Sequence, residues 1–304
     1  MKVSLVKDKG DALIATAARA SFNRRADQYT DEQNENLTRY LVRSNPPHFA
    51  PLAHVRLTLR LQHWMIIYKR LDAYNKTGMI DIRQHDGVVD VSHSLWGWFL
   101  LLRDKKVHFS IVDSVIDHLQ AIAPVASKVL ELDKHRAKDM HESGYVQVNH
   151  APVSYETDFV TLRVEPPIAI ARQLMKSVVG YMHSEASGRY ITYSKIHMPT
   201  ELHGKPDNKK QGSGRPLVFI RNAIAKAVIK TSYAVSKLAY NFLHRVLGVA
   251  VEESRCVMPL YTGTVIVITA ARKDWDRLLQ LRTAGDAQTD IQVLAGLIAE
   301  ELEK

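Results

Sequence analysis

The chain has 304 residues, 46% of them hydrophobic and 24% charged, with a formal net charge of +9. That composition excludes a disordered or fibrous protein and leaves room for one large domain or two modest ones. The basic surplus favours anionic partners, whether nucleic acid, nucleotides, phosphorylated cofactors or an acidic membrane face. The single cysteine, Cys256 within SRCVMPL, excludes an intramolecular disulfide framework and a cysteine-based zinc cluster. With apolar neighbours it reads as a buried packing residue, ahead of a thiolate sharpened by Arg255. The opening MKVSLVKDKG carries no apolar leader, and the longest apolar run, 95–102, is too short to span a bilayer. A cytoplasmic setting with no membrane partner is expected.

GDALIATAARA (10–20) reads as a helix, and Thr30 with Gln33 predicts a capping box opening a second helix through Ser44. Asn45-Pro46-Pro47 ends it. HVRLTLRL (54–61) alternates between apolar and polar residues and reads as a half-buried strand, with a near copy at FVTLRV (159–164). Between them, 62–158 holds an amphipathic stretch from Trp64 to Tyr74, a turn at Asp86-Gly87, the aromatic helix SLWGWFLLL and helical patterning over 110–133. This stretch reads as an inserted, mainly helical subdomain. Pro166-Pro167 then opens the helix IAIARQLMKSVVG.

HGKPDNKKQGSGR (203–215) is a basic loop, followed by a long helix with Ile220, Ile224, Val228, Val235, Leu238, Phe242 and Val246 at helical spacing. Gly248 is its expected stop. A helical turn at 252–255, a β-branched strand over 262–269 and helices over 272–282 and 286–303 complete the chain.

Three segments concentrate polar groups among apolar ones. SEASGRY (184–190) offers an acid, two hydroxyls, a glycine and an arginine, and Ser-Gly backbone with arginine suits a phosphate. A capped turn with a surface arginine is the plainer reading. Arg255 needs a partner, and an ion pair with Glu252 or Glu253 ranks first. Arg272, Lys273, Arg277 and Arg282 read as a solvated basic face, unless Arg282 points inward at an anion. His135, Asp139, His141 and Glu142 lack the spacing of a zinc helix, so no metal is expected. GSG (212–214) lacks the context of a phosphate loop, and no G-x-S-x-G elbow occurs.

Taken in order, AARASF (17–22), RYLVRS (39–44), PLAHVRLTLRL (51–61), PPIAIARQLMKSVVGYMHSEASGRY (166–190), GKPDNKKQGSG (204–214), SRCVMPL (254–260) and LLQLRTAGDAQTDI (278–291) resemble the flavin-dependent thymidylate synthases. The branch in which lysine-histidine-glutamine replaces arginine-histidine-arginine is the nearer one, although this chain has Lys176-Ser177-Val178 there. Ser184 and Ala271 stand where the family has asparagines, and Asp286 where it has a histidine.

The resemblance implies an α+β fold: a central, mostly antiparallel sheet flanked by long helices. The catalytic domain would comprise 1–61 and 159–304, with 62–158 inserted. It further implies FAD-dependent reductive methylation of dUMP to dTMP, with NADPH and methylenetetrahydrofolate as co-substrates and no cysteine nucleophile. Gln173, Glu185, Ser187, Gly188, Arg189, Arg255 and Arg282 would hold the nucleotide, with Arg282 also catalytic. Ser21, His54, Lys176, Ser177, Glu185, Lys273 and Arg277 would hold the flavin. Family sites are shared among subunits of a homotetramer. A pyrimidine hydroxymethylase acting on dUMP or dCMP, or a non-catalytic nucleotide- or nucleic-acid-binding paralogue, are the alternatives. With these assignments the charge of +9 no longer requires a nucleic-acid partner.

Overall fold

The computed structural model describes residues 1–44, 48–62, 81–85, 88–103, 109–132, 159–176, 182–193, 195–205 and 214–304. In chain order the elements are β1 (Val3–Leu5), α1 (Gly10–Ala20), α2 (Asp31–Arg43), β2 (Arg56–Gln62), β3 (Asp81–His85), β4 (Val88–Ser94), α3 (Leu95–Arg103), α4 (Phe109–Ile122) and α5 (Pro124–Val129). They continue with β5 (Phe159–Val164), α6 (Ile168–Lys176), β6 (Met182–Glu185), α7 (Phe219–Asn241), α8 (Val251–Ser254), β7 (Ile266–Ala271), α9 (Arg272–Arg282) and α10 (Thr289–Leu302). The fold class is α+β. The chain divides into two compact units, one of Met1–Val6, Ala20–Arg24 and Val160–Lys304, the other of Lys7–Arg19 and Arg25–Phe159.

The first unit is built on a sheet of order β1-β5-β7-β6, in which β1 is antiparallel to β5 and β6 antiparallel to β7. All six residues of β7 (IVITAA) are buried, so both faces of this strand are covered and it reads as a continuous apolar run. Leu162, Val164, Ile266 and Ile268 pack with Ile170 and Leu174 of α6, Trp275 and Leu278 of α9, and Ile291, Leu294 and Ile298 of α10. These positions recur at three to four residues along each helix, which gives each a single inward stripe. Trp275 satisfies its indole N–H on the Val160 carbonyl at 3.1 Å. The first amides of α6 are closed off as well: Ile168 N–H donates to Thr262 O and Ala169 N–H to Leu260 O, both at 2.9 Å.

The second unit carries the sheet β2-β4-β3, antiparallel throughout, with Arg56 opposite Ser94 and Gln62 opposite Val88. Arg60 and the buried Asp90 face each other across β2 and β4 in a two-pronged ion pair of 2.8 and 3.0 Å. Trp98 of α3 donates to Leu57 O at 3.0 Å. Asp11 of α1 caps α5 by accepting from Val125 N and Ala126 N at 2.8 and 3.0 Å.

The capping box at Thr30 and Gln33 forms as the sequence predicts. The predicted helices at 10–20 and 272–282 are also present, the helical patterning over 110–133 resolves into two helices, α4 and α5, and Gly248, at φ +69°, stands just past a π-helical turn, Phe242–Val246, that continues α7. Other boundaries differ. His54 closes a 3-10 turn, Ala50–His54, with Pro51 in its first turn, so β2 begins only at Arg56. The two look-alike strands, β2 and β5, lie in different sheets. The stretch 64–74, the turn at 86–87, the 135–142 histidine cluster and the first two residues of GSG, 212–213, fall outside the described residues. Among the described residues no group of acids, histidines and cysteines could hold a metal, and no helix is long and apolar enough to cross a membrane.

Candidate active site

The segment leaving β6 folds back on itself through its own serine. Ser187 O accepts from Tyr190 N at 3.0 Å and from Ile191 N at 3.2 Å, and Ser187 Oγ accepts from Arg189 N at 3.3 Å. Ser187 N–H donates to Ser21 O at 2.8 Å, which brings the expected flavin residue Ser21 against the expected nucleotide residue Ser187. Phe22 stacks on Tyr190 with centroids 5.2 Å apart. Upstream, Glu185 Oε1 accepts from Thr264 Oγ1 at 3.1 Å, and Ala186 N–H donates to Val265 O at 2.7 Å.

Gly188 is the tightest point of this cluster. A Cβ there would run into the Tyr193 hydroxyl and stand 2.9 Å from Arg255 Nη1 and 3.1 Å from Arg255 Cδ. Only glycine lets the side chain of Arg255 and the Tyr193 hydroxyl come so close to the backbone. Burial holds the Tyr193 hydroxyl above the usual tyrosine range, against the opposing pull of Arg255, and a side-chain hydrogen bond joins the two. Arg189 pairs with Glu252 at 2.9 Å. The ion pair expected for Arg255, with Glu252 or Glu253, is thus replaced: Glu252 takes Arg189, and Arg255 turns to Tyr193. Arg255 itself is exposed, as is Cys256, which is not the buried packing residue expected. Both residues lie in a 3-10 turn, Arg255–Val257, that faces outward.

A second cluster forms around α6. Arg282 Nη2 donates to the Gln173 carbonyl at 2.9 Å, so the arginine does point inward, with a backbone oxygen as its partner. The Gln173 amide donates through Nε2 to Gln288 Oε1. Gln288 Nε2 donates to the Tyr261 hydroxyl at 2.8 Å, and that hydroxyl donates to Asp290 Oδ2 at 2.7 Å. Burial first, then the contact with Asp290, pushes Tyr261 far above the usual tyrosine range. The structure therefore gathers Ser21, Glu185, Ser187, Gly188, Arg189 and Arg255 in one cluster, and Gln173 with Arg282 in another.

Lys176 at the end of α6, and Lys273 and Arg277 one turn apart on α9, are exposed cations. His54 is buried in the second unit. Ser177 lies outside the described residues. Sequence reasoning missed Tyr193, Tyr261, Gln288 and Asp290. Asp290 carried a signal, since an acid among the apolar residues that open α10 is costly to bury without donors.

A family model described as thymidylate synthase complementing protein matches residues 132–304, more than half of the chain. A flavin-dependent thymidylate synthase from Aquifex aeolicus is 27% identical, covering 99% of this chain and 96% of its own length. One from Thermosipho melanesiensis is 27% identical, over 64% of this chain and 85% of its own. A solved structure, the UMP/dUMP methylase PolB from Streptomyces cacaoi, aligns at 17% identity and a TM-score of 0.43, covering 98% of this chain and 88% of that one. The long sequence match, with the family motifs folded into two polar clusters, settles the kinship: the chain belongs to the thymidylate synthase complementing proteins, the flavin-dependent thymidylate synthases.

Proposed function

We propose that this chain methylates dUMP to dTMP reductively, with methylenetetrahydrofolate as carbon donor and NADPH as the source of electrons through FAD. The observation that carries this reading is the cluster at Gly188, where a Cβ-free backbone, Arg255 and Arg189 come together beside Glu185 and Ser187. A monophosphate dianion suits that set, since guanidinium groups and backbone N–H donors make charge-assisted bonds to its oxygens. The Arg189–Glu252 pair is solvent-exposed and therefore weak, so a phosphate can take the arginine from Glu252 at little cost.

Arg282 is the candidate for stabilising charge on the pyrimidine carbonyl, because a fixed cation stabilises charge that develops there. The donor set also fits a dinucleotide cofactor: Lys176, Lys273 and Arg277 are exposed cations suited to a diphosphate, and Ser21 touches the nucleotide cluster through Ser187. FAD bound there would supply hydride chemistry. In this reading catalysis needs no thiol.

A homotetramer with shared sites belongs to the same reading. Phe219 is 86% exposed, Ile220 70%, Val228 64% and Leu238 70%, so the apolar stripe of α7 lies uncovered in the single chain. A stripe of that extent favours association with further copies. The cytoplasmic setting, and the division into a catalytic domain of 1–61 and 159–304 with an inserted subdomain at 62–158, are likewise proposed.

The test is product analysis by mass spectrometry after incubating the protein with FAD, NADPH and methylenetetrahydrofolate, with dUMP and separately with dCMP. Methylated dUMP is expected. A hydroxymethylated product or a product from dCMP would replace the reading with the hydroxymethylase alternative, and no product from either base would remove the enzymatic claim.

A further inference from the structure

Asp290 is 3% exposed, in the first turn of α10. Its Oδ1 accepts from Thr200 N at 2.8 Å and its Oδ2 from the Tyr261 hydroxyl at 2.7 Å. A carboxylate only accepts, so the Tyr261 proton is committed to Asp290, and the phenolic oxygen accepts from Gln288 Nε2, 2.8 Å away. That choice orients the Gln288 amide. With Nε2 turned to Tyr261, Oε1 is turned to Gln173 and needs a donor, which Gln173 supplies through its own Nε2. The buried Asp290 carboxyl group, with both oxygens accepting, therefore sets the donor-to-acceptor direction of each bond along the chain Asp290, Tyr261, Gln288, Gln173.

Two further observations point the same way. Gln288 occupies the N-cap of α10, yet its side chain makes no capping bond there, since both ends of its amide are engaged in the chain. Burial and Asp290 hold the Tyr261 hydroxyl protonated well beyond neutral pH, so it remains a donor.

We infer that Asp290 is a positioning residue that acts through Tyr261 and Gln288 to set which edge of the Gln173 amide meets the pyrimidine nucleotide. The inference rests on the proposed role of Gln173 as a nucleotide residue. The two edges of an amide have nearly the same shape and opposite polarity, so a flipped Gln173 would offer donors where an acceptor is needed, or the reverse. In a partly buried network such a mismatch leaves a polar group unsatisfied. Arg282 holds the backbone of the same residue through Gln173 O at 2.9 Å, so both the main chain and the side chain of Gln173 are fixed from α9, α10 and the loop before β7.

A double-mutant cycle separates positioning from simple support of the fold. Tyr261→Phe removes the hydroxyl that links Asp290 to Gln288. Titrated with dUMP, this variant is expected to show a roughly tenfold higher Kd than the parent protein. In a Gln173→Ala background the same substitution is expected to leave Kd unchanged, because the amide it orients is gone. An equal loss in both backgrounds, or a loss in neither, overturns the inference.

A second readout works without nucleotide. With glutamine-selective nitrogen-15 labelling, the Gln173 side-chain resonance, identified by its loss in Gln173→Ala, is expected to shift in Tyr261→Phe and in Asp290→Asn. An unmoved resonance in Tyr261→Phe overturns the relay whether or not the protein binds dUMP, and whether or not Asp290→Asn folds. Failure of the parent protein to bind dUMP with the resonance still moving would sink the proposed substrate while leaving the relay standing.

Discussion

Replacing Gly188 by alanine tests the candidate nucleotide site at its tightest point. The added Cβ would overlap the Tyr193 hydroxyl and sit 2.9 Å from Arg255 Nη1 and 3.1 Å from Arg255 Cδ, all closer than ordinary carbon contacts of roughly 3.5–4.0 Å. Tyr193 is half-buried and has little room to yield, whereas Arg255 is exposed and can swing outward. Because the closest clash falls on Tyr193, the fold loses about 1–3 kcal/mol, the ordinary cost of overpacking. Binding loses in addition. In the role proposed for Arg255, moving it forfeits one charge-assisted hydrogen bond to the phosphate, about 1.5–3 kcal/mol, or roughly ten- to a hundredfold in Kd. Equilibrium dialysis with dUMP, beside urea unfolding of the same variant, measures both quantities. A Gly188→Ala protein that binds dUMP as tightly as the parent would show that Arg255 does not serve the phosphate from this position.

Other substitutions probe the scaffold. Gly296 lies exposed inside α10, and a Cβ added there would meet nothing within 4 Å, so Gly296→Ala is expected to stabilise the protein by about 0.5–1 kcal/mol, read as a higher urea midpoint. Trp275→Ala is expected to cost about 3–5 kcal/mol, since it empties a fully buried site and strips the Val160 carbonyl of its donor; a loss below about 1 kcal/mol would contradict the packing described. Val228→Asp on the open face of α7 is expected to shift the assembly toward smaller species in light scattering, and an unchanged mass would place the subunit contacts elsewhere. His93 is buried near Arg56, and burial first, then that cation, lowers its pKa from 6.5 to about 3. The unfolded chain thus takes up a proton that the fold refuses, and stability falls as pH drops below 6.5 toward 3. The loss is about 2 kcal/mol at pH 5, and it should vanish from the difference between pH 7 and pH 5 in His93→Gln.

Much of the fold was legible because its signals are local. The Thr30–Gln33 capping box, the glycine stop at Gly248 and the prolines before α6 act within a few residues of themselves. His54 misled because its alternation with Val55 and Arg56 outweighed Pro51, whose fixed φ suits the turn that delays β2. The exposure of Cys256 and the partner of Arg255 were illegible for a different reason: both depend on where a short turn faces, and apolar neighbours in sequence do not report that. In the site, the family motifs named Gln173, Glu185 and Arg282, but not the residues that hold them. Gln288 meets Gln173 across 115 positions, and Tyr261 meets Asp290 across 29, separations at which no periodicity carries information.

The first unit is threaded from three separate lengths of chain, Met1–Val6, Ala20–Arg24 and Val160–Lys304. On a ribosome, β1 must wait for its only described neighbour until β5 has been made, because Val3 pairs with Val164. A fragment starting at residue 160 would expose the edge of β5 and leave the Ser187 amide without the Ser21 carbonyl. This unit is thus not a cassette that can be cut out by truncation. Any minimal version must splice the N-terminal segments to the C-terminal part, and would inherit a late-closing sheet that favours slow folding.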